Sequence, residues 1–163
     1  MKVFGVTGWK NAGKTGLMER LVSDLTARGL TVSTIKHAHH SFDVDQPGRD
    51  SYRHRAAGAQ EVLLASGHRI ALMQELRGAP EPSMDMLLAR LSPVDLVLVE
   101  GYKREAHPKI EAYRAVNAHA LIAPTDPTIC AIASDCALES DRPVFDLDDT
   151  AAIATFILTE VGL

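Results

Sequence analysis

The chain lacks most features that would mark it for an oxidising compartment, a membrane or a long polyanion. It has two cysteines in 163 residues, Cys130 and Cys136. Their spacing fits neither a C-x-x-C redox pair nor a zinc knuckle, so they read as small buried residues. No apolar run approaches the roughly 20 residues that span a bilayer. The sequence begins directly on a strand-like segment, with no room for a charged, apolar and cleavable leader, so a cytoplasmic protein is expected. Internal repeats and low-complexity linkers are missing too. At this length one domain with a real core is expected, covering residues 1–163. The net charge of −4 argues against nucleic acid and against a membrane surface.

That net charge conceals an asymmetry. Residues 1–60 carry nine Lys/Arg against five Asp/Glu, and four of the seven histidines. The remainder carries eight against sixteen. A positive field confined to the first third suits a compact ligand rich in phosphate.

The segment Gly8, Trp9, Lys10, Asn11, Ala12, Gly13, Lys14, Thr15 reads G-x-x-x-x-G-K-T. This is the phosphate-binding P-loop pattern. An apolar run at 3–7 precedes it, as a buried strand requires. Leu17, Met18, Leu21, Val22 and Leu25 follow at helical spacing. Backbone N–H groups of such a loop, and the positive end of the helix behind it, converge on a triphosphate. Lys14 is the residue expected between the β- and γ-phosphates, and the Thr15 hydroxyl is a ligand for Mg²⁺.

Further along, 31–35 is rich in β-branched residues and predicts a second strand. The first helix is expected to stop near Gly29. Residues 61–65 and 69–73 predict a pair of strands, and Ser83 a helix cap. Residues 94–99 form the most strand-like run and end on Glu100. An apolar strand closing on an acidic residue is the Walker B arrangement, which makes Glu100 a second candidate near Mg²⁺. Strands are also expected at 109–114, 120–123 and 128–133. The last of these ends at Asp135, a carboxylate able to accept from guanine N1 and N2; a turn-forming Ser-Asp explains the same pattern. Asp146 or Asp148 is expected to cap a final helix.

Between the second strand and the following helix lies a polar stretch holding Lys36, His37, His39 and His40. Two imidazoles with Asp43 or Asp45 would suit zinc or nickel. Lys36, Arg49, Arg53 and Arg55 nearby favour contact with an anion or substrate instead.

Several of these segments together resemble one family. They are Lys-His-x-His-His at 36–40, Asp-Val-Asp-x-Pro-Gly at 43–48, Asp-Ser-Tyr with Ala-Gly-Ala at 50–59, Leu-Val-Glu-Gly-Tyr-Lys at 98–103 and Ala-Ser-Asp at 133–135. With the P-loop, they are similar to the molybdopterin-guanine dinucleotide biosynthesis protein MobB family over nearly the whole chain. The resemblance implies an α/β P-loop NTPase three-layer fold, with a mostly parallel central sheet and extra antiparallel strands. It implies a GTP-binding accessory protein with weak GTPase activity at most. Its implied partners are the guanylyltransferase MobA and molybdopterin or its guanine dinucleotide. A homodimer is implied, with β-rich extensions near 61–73 and 109–123. Carried across, Gly8 to Thr15 bind phosphates with Lys14 and Glu100 at the reacting end, Thr15 and Glu100 lie at Mg²⁺, and Asp135 reads guanine. Lys36, His37, His39 and His40 line the anion or pterin side. No Asn-Lys-x-Asp motif is present, and no glutamine or arginine is identifiable as the hydrolytic residue, so slow hydrolysis is expected. A small-molecule kinase closing Arg49, Arg53 and Arg55 over its phosphate, and a GTP-dependent metallochaperone using the histidines, are the alternatives.

Overall fold

The computed structural model describes residues 1–38 and 42–163, and by its internal contacts the chain divides into two compact units. The first comprises 1–37 and 87–163; the second is 38–86.

The first unit is built on six strands: β1 (Lys2–Thr7), β2 (Val32–Lys36), β5 (Leu96–Glu100), β6 (Lys109–Tyr113), β7 (Ile129–Ser134) and β8 (Val144–Asp146). Their order across the sheet is β2-β5-β1-β6-β7-β8, and every pairing is parallel. Parallel strands need crossovers, and helices α1 (Lys14–Ala27) and α4 (Thr150–Val161) pack against each other and against β1. Strand β5 is buried at every position, which is why its sequence shows no polar alternation. Leu17, Leu21 and Leu25 of α1 are fully buried against Phe4, Leu98 and Ile157. Each such leucine contributes about 2 kcal/mol. Helix α1 stops where Gly29 adopts a left-handed φ of 88°, and Arg28 and Gly29 N–H groups close on Asp24 O and Thr26 O.

Three sequence expectations are displaced. Lys109–Tyr113 lies inside the main sheet between β1 and β7, not in an extension. Residues 120–123 form no strand and lead into a 3₁₀ turn at Ala123–Thr125. The cap of α4 is Asp149, whose Oδ1 accepts from Ala152 N at 3.0 Å. Asp146 instead takes the N–H of Asp148 at 2.9 Å.

The loop from β5 to β6 is fixed from below. Lys109, fully buried, donates its ammonium to Glu105 O and to Thr128 Oγ1, with Asp126 Oδ2 at 3.8 Å. Beside it His107 lies so close to β1 that a side chain at Gly5 would meet its ring at 2.6 Å. Burial, with Lys109 adding to it, pushes the His107 imidazole down to about 4. Between the unfolded value of about 6.5 and 4, the unfolded chain holds a proton that the folded chain does not. Stability therefore falls as pH drops through that window and levels off below it. His107→Gln should flatten this part of the profile, read as melting temperature from pH 7.5 to 4.5 in both proteins. Parallel profiles would refute it.

The second unit holds α2 (Asp50–Ala56) and a separate antiparallel pair, β3 (Glu61–Ala65) with β4 (Ile70–Gln74). Helix α3 (Met84–Leu88) begins at its end, capped by Ser83 Oγ accepting from Met86 N at 3.3 Å. Its stiffest feature is ionic. Arg55 of α2 binds both Asp43 oxygens at 2.8 Å and Glu75 Oε1 at 2.8 Å, and faces Asp45 Oδ2 at 3.4 Å. Register places Leu63 opposite Leu72 and Ala65 opposite Ile70 on one face. Leu63, Ile70 and Leu72 there are 63%, 70% and 51% exposed.

Candidate functional site

The parallel register sets the site. Lys36, Glu100 and Val6 stand in one row at the C-terminal ends of β2, β5 and β1. Thr7 and Glu111 stand one residue further on. In open parallel sheets, ligands bind at this edge, outside the carboxyl ends of the strands.

The loop leaving β1 needs its two glycines for different reasons. At Gly8, with φ 137°, a Cβ would come within 2.3 Å of Ala112 O on the neighbouring strand. At Gly13, φ 93° sets the turn into α1, and a Cβ would sit 3.1 Å from Arg114 Nε. Helix α1 therefore starts with a left-handed cap residue, no capping side chain and no acidic residue in its first turn. Its first N–H groups and positive dipole end are offered to an anion. Thr7 Oγ1, buried directly before the loop, has no hydrogen-bond partner. Both observations fit a loop shaped for phosphate.

Around this loop cations outnumber carboxylates. Lys14 Nζ donates to Gly8 O at 3.0 Å and Trp9 O at 2.6 Å. Its pKa is lowered, first by burial and then by Lys103 and Lys36, while Glu100 opposes the shift. Glu100 Oε1 accepts from Thr15 Oγ1 at 3.2 Å and meets Lys36 Nζ at 3.2 Å. Lys14 and Lys36 thus lie near one glutamate, with Lys103 close to Lys14. The paired hydroxyl and carboxylate of Thr15 and Glu100 are the oxygen donors that Mg²⁺ prefers.

The outer side of the loop is held by the segment after β6. Trp9 Nε1 donates to Ala120 O at 2.8 Å, its ring lies 5.2 Å from the ring of His119, and Lys103 Nζ sits 4.0 Å above its centroid. Asn117 Nδ2 donates to Lys10 O at 3.4 Å. Glu111, fully buried, accepts from Ile122 N and Ala123 N. Burial raises its pKa, and those N–H groups hold part of the rise back.

Asn11 adopts φ 63°, and Ala12 is buried beneath the loop. His37 N donates to Glu100 O, and its ring lies 4.8 Å from the Tyr102 ring, tilted at 41°. His39 and His40 lie outside the described residues. Asp135 follows β7 and accepts from Ala115 N at 2.9 Å through Oδ1. It lines a cavity of about 410 Å³ with Ser134, Cys136, Phe145 and Asp146. Lys14, Thr15, Lys36 and Glu100 are thus brought together, whereas Asp135 belongs to a second feature along the same sheet edge.

Two readings lose some of their residues. Arg55, considered for a kinase lid, is bound by Asp43 and Glu75, which also push its pKa upward. Asp43 and Asp45, considered as metal ligands, are engaged by the same guanidinium. Among the described residues no three His, Cys, Asp or Glu side chains gather to hold a metal. Nor, among them, is any helix long and apolar enough to cross a membrane. Lys103 and Arg114 were not singled out from sequence as site residues. Lys103 had a signal, three positions past Glu100; Arg114 had none.

A family model described as molybdopterin guanine dinucleotide synthesis protein B matches residues 3–135. A molybdopterin-guanine dinucleotide biosynthesis adapter protein of Haemophilus influenzae is 41% identical over 158 residues, covering 95% of this chain and 86% of that protein. Its Escherichia coli counterpart is 40% identical over 155 residues, covering 92% and 87%. The crystal structure of a MobB homologue from Bacillus stearothermophilus superposes with a TM-score of 0.73 at 30% identity, covering 99% of both chains.

Proposed function

The chain belongs to the molybdopterin guanine dinucleotide synthesis protein B (MobB) family, and from that membership we propose a GTP-binding adapter in molybdenum cofactor biosynthesis. Its role is to assist the guanylyltransferase, MobA, that joins a guanine nucleotide to molybdopterin. The observation that carries the nucleotide part is the contact between Thr15 and Glu100, 3.2 Å apart across the P-loop and the end of β5.

In this reading the loop N–H groups and Lys14 hold the phosphates. Thr15 and Glu100 would hold Mg²⁺, which would supply charge neutralisation for the phosphates. Lys36 shares Glu100 Oε1 at 3.2 Å, so with that carboxylate committed to Mg²⁺ its ammonium would be free to meet a ligand anion. Lys36 and His37 stand at the anion or pterin side, with His39 and His40 next in sequence. Among the described residues of the first unit there is no glutamine of the kind that orients an attacking water in fast GTPases. Slow hydrolysis at most follows. Of the three arginines of the kinase reading, Arg55 is committed to the Asp43 and Glu75 carboxylates.

A homodimer is part of the proposal. An isolated two-stranded pair is marginal in water, and Leu63, Ile70 and Leu72 give it an uncovered apolar face.

The deciding measurement is a titration with GTP and ATP, each with Mg²⁺, in the presence and absence of the guanylyltransferase. GTP is expected to bind at least about tenfold more tightly, and the partner to change affinity or turnover. Equal affinities and no partner effect would end the reading. Light scattering on the same sample should give twice the 17.6 kDa chain mass, and a monomer at micromolar concentration would remove the dimer.

A further inference from the structure

We propose that Lys103 reads the terminal phosphate: it rests on the Trp9 ring in the ligand-free loop and moves to the γ-phosphate when a triphosphate binds. This rests on the triphosphate reading of the site above.

Three observations carry it. The first is position. Lys103 Nζ lies 4.0 Å over the Trp9 ring, and Trp9 is the first residue after Gly8 in the phosphate loop. It is close enough to Lys14 to disfavour that ammonium's charge, and close enough to Glu111 to favour that carboxylate's.

The second is how the three lysines near the loop are held. Lys14 has the Gly8 and Trp9 carbonyls, and Lys36 has the Glu100 carboxylate. Lys103 has the face of an indole, itself 39% exposed. A cation on an exposed ring gains about two- to fivefold in population. A charge-assisted hydrogen bond to phosphate is worth about tenfold or more. The exchange therefore favours phosphate whenever one is within reach.

The third is the backbone. Gly101 has φ 92°, and Tyr102, an aromatic residue, is held at φ 46°. That is a left-handed conformation a bulky side chain rarely adopts, and such strain collects at segments that switch. The segment is fastened on either side. Gly101 N donates to Val6 O at 3.1 Å, and Glu105 O accepts from buried Lys109. Residues 102–104 lie between these anchors, starting two positions past Glu100. Their turn is closed by Glu105 N donating to Tyr102 O at 3.1 Å, so a change in that turn moves Lys103 while the sheet stays fixed.

Trp9 is the single tryptophan, so its emission reports whether the cation is on the ring. The test uses the full chain with Mg²⁺. A non-hydrolysable GTP analogue and GDP are titrated by calorimetry and by tryptophan fluorescence, in wild type, Lys103→Met and Lys103→Arg. Methionine keeps an apolar stem on the indole without the charge. The expected result is an approximately tenfold loss of analogue affinity in Lys103→Met, with GDP affinity moving less than about twofold. Arginine should restore most of the difference. Wild-type emission should change with the analogue more than with GDP, and that difference should vanish in Lys103→Met. If the wild type binds both nucleotides but the variants leave their ratio unchanged, Lys103 does not read the phosphate and the nucleotide site stands. If the wild type binds neither, the triphosphate reading itself falls, and Lys103 with it.

Discussion

Lys14→Met should reduce GTP affinity by about a hundredfold or more while leaving the fold intact. Lys14 is only partly buried and bonds two carbonyls of its own loop, Gly8 O and Trp9 O. Losing those bonds costs about 1–2 kcal/mol at most, since the carbonyls stay near water. In the ligand-bound state the same ammonium would stand against two phosphates, where charge-assisted hydrogen bonds are roughly twice as strong as neutral ones. Methionine conserves the unbranched stem, so helix α1, which begins at this residue, keeps its start. The two effects separate in paired measurements, thermal unfolding without nucleotide and calorimetric titration with GTP and Mg²⁺. A melting temperature close to wild type together with lost binding is the expected pair. GTP affinity within about threefold of wild type would mean that this lysine does not meet phosphate.

How far such a site can be read from sequence depends on whether its residues follow a pattern. Gly8, Gly13, Lys14 and Thr15 are fixed in spacing because a single loop must make the turn, approach the ligand and start a helix. Glu100 was legible because an apolar strand that stops on an acid is itself a pattern. Lys103 sits in the loop after β5, where no period applies, and only coordinates bring it over Trp9. The placement of 109–113 shows the same limit at the level of the sheet. Alternation in Lys109–Tyr113 marks a strand, but nothing local states that its neighbours are β1 and β7. Residues 120–123 looked strand-like because they are apolar. They are held by Trp9 donating to Ala120 O and by Glu111 accepting from Ile122 and Ala123. At the last helix, Asp146, Asp148 and Asp149 all have capping chemistry within four positions. Which one caps is decided by where the chain leaves β8.

Asp135→Ala should collapse the preference for GTP over ATP, lowering GTP affinity by about thirtyfold while ATP moves less than about threefold. The side chain leaves β7 two strands from the phosphate loop and lines the 410 Å³ cavity at the same sheet edge. A carboxylate there can accept from both N1–H and N2–H of guanine, whereas adenine offers neither pair, and hydrogen bonds to a charged group contribute about 1.5–3 kcal/mol. One complication is structural. Asp135 Oδ1 also accepts from Ala115 N, which starts the 3₁₀ turn Ala115–Asn117, and Asn117 reaches Lys10 O in the phosphate loop. Alanine therefore loosens that turn and weakens both nucleotides by a common factor. The ratio of affinities cancels this factor. Asp135→Asn isolates the base further, because its oxygen can keep the Ala115 bond while its amide presents a donor where guanine also donates. The asparagine variant should lose GTP as the alanine variant does, with ATP affinity near wild type. If both variants kept the wild-type ratio, base selection would lie elsewhere, and Asp135 would be left as the residue that ties β7 to the 115–117 turn.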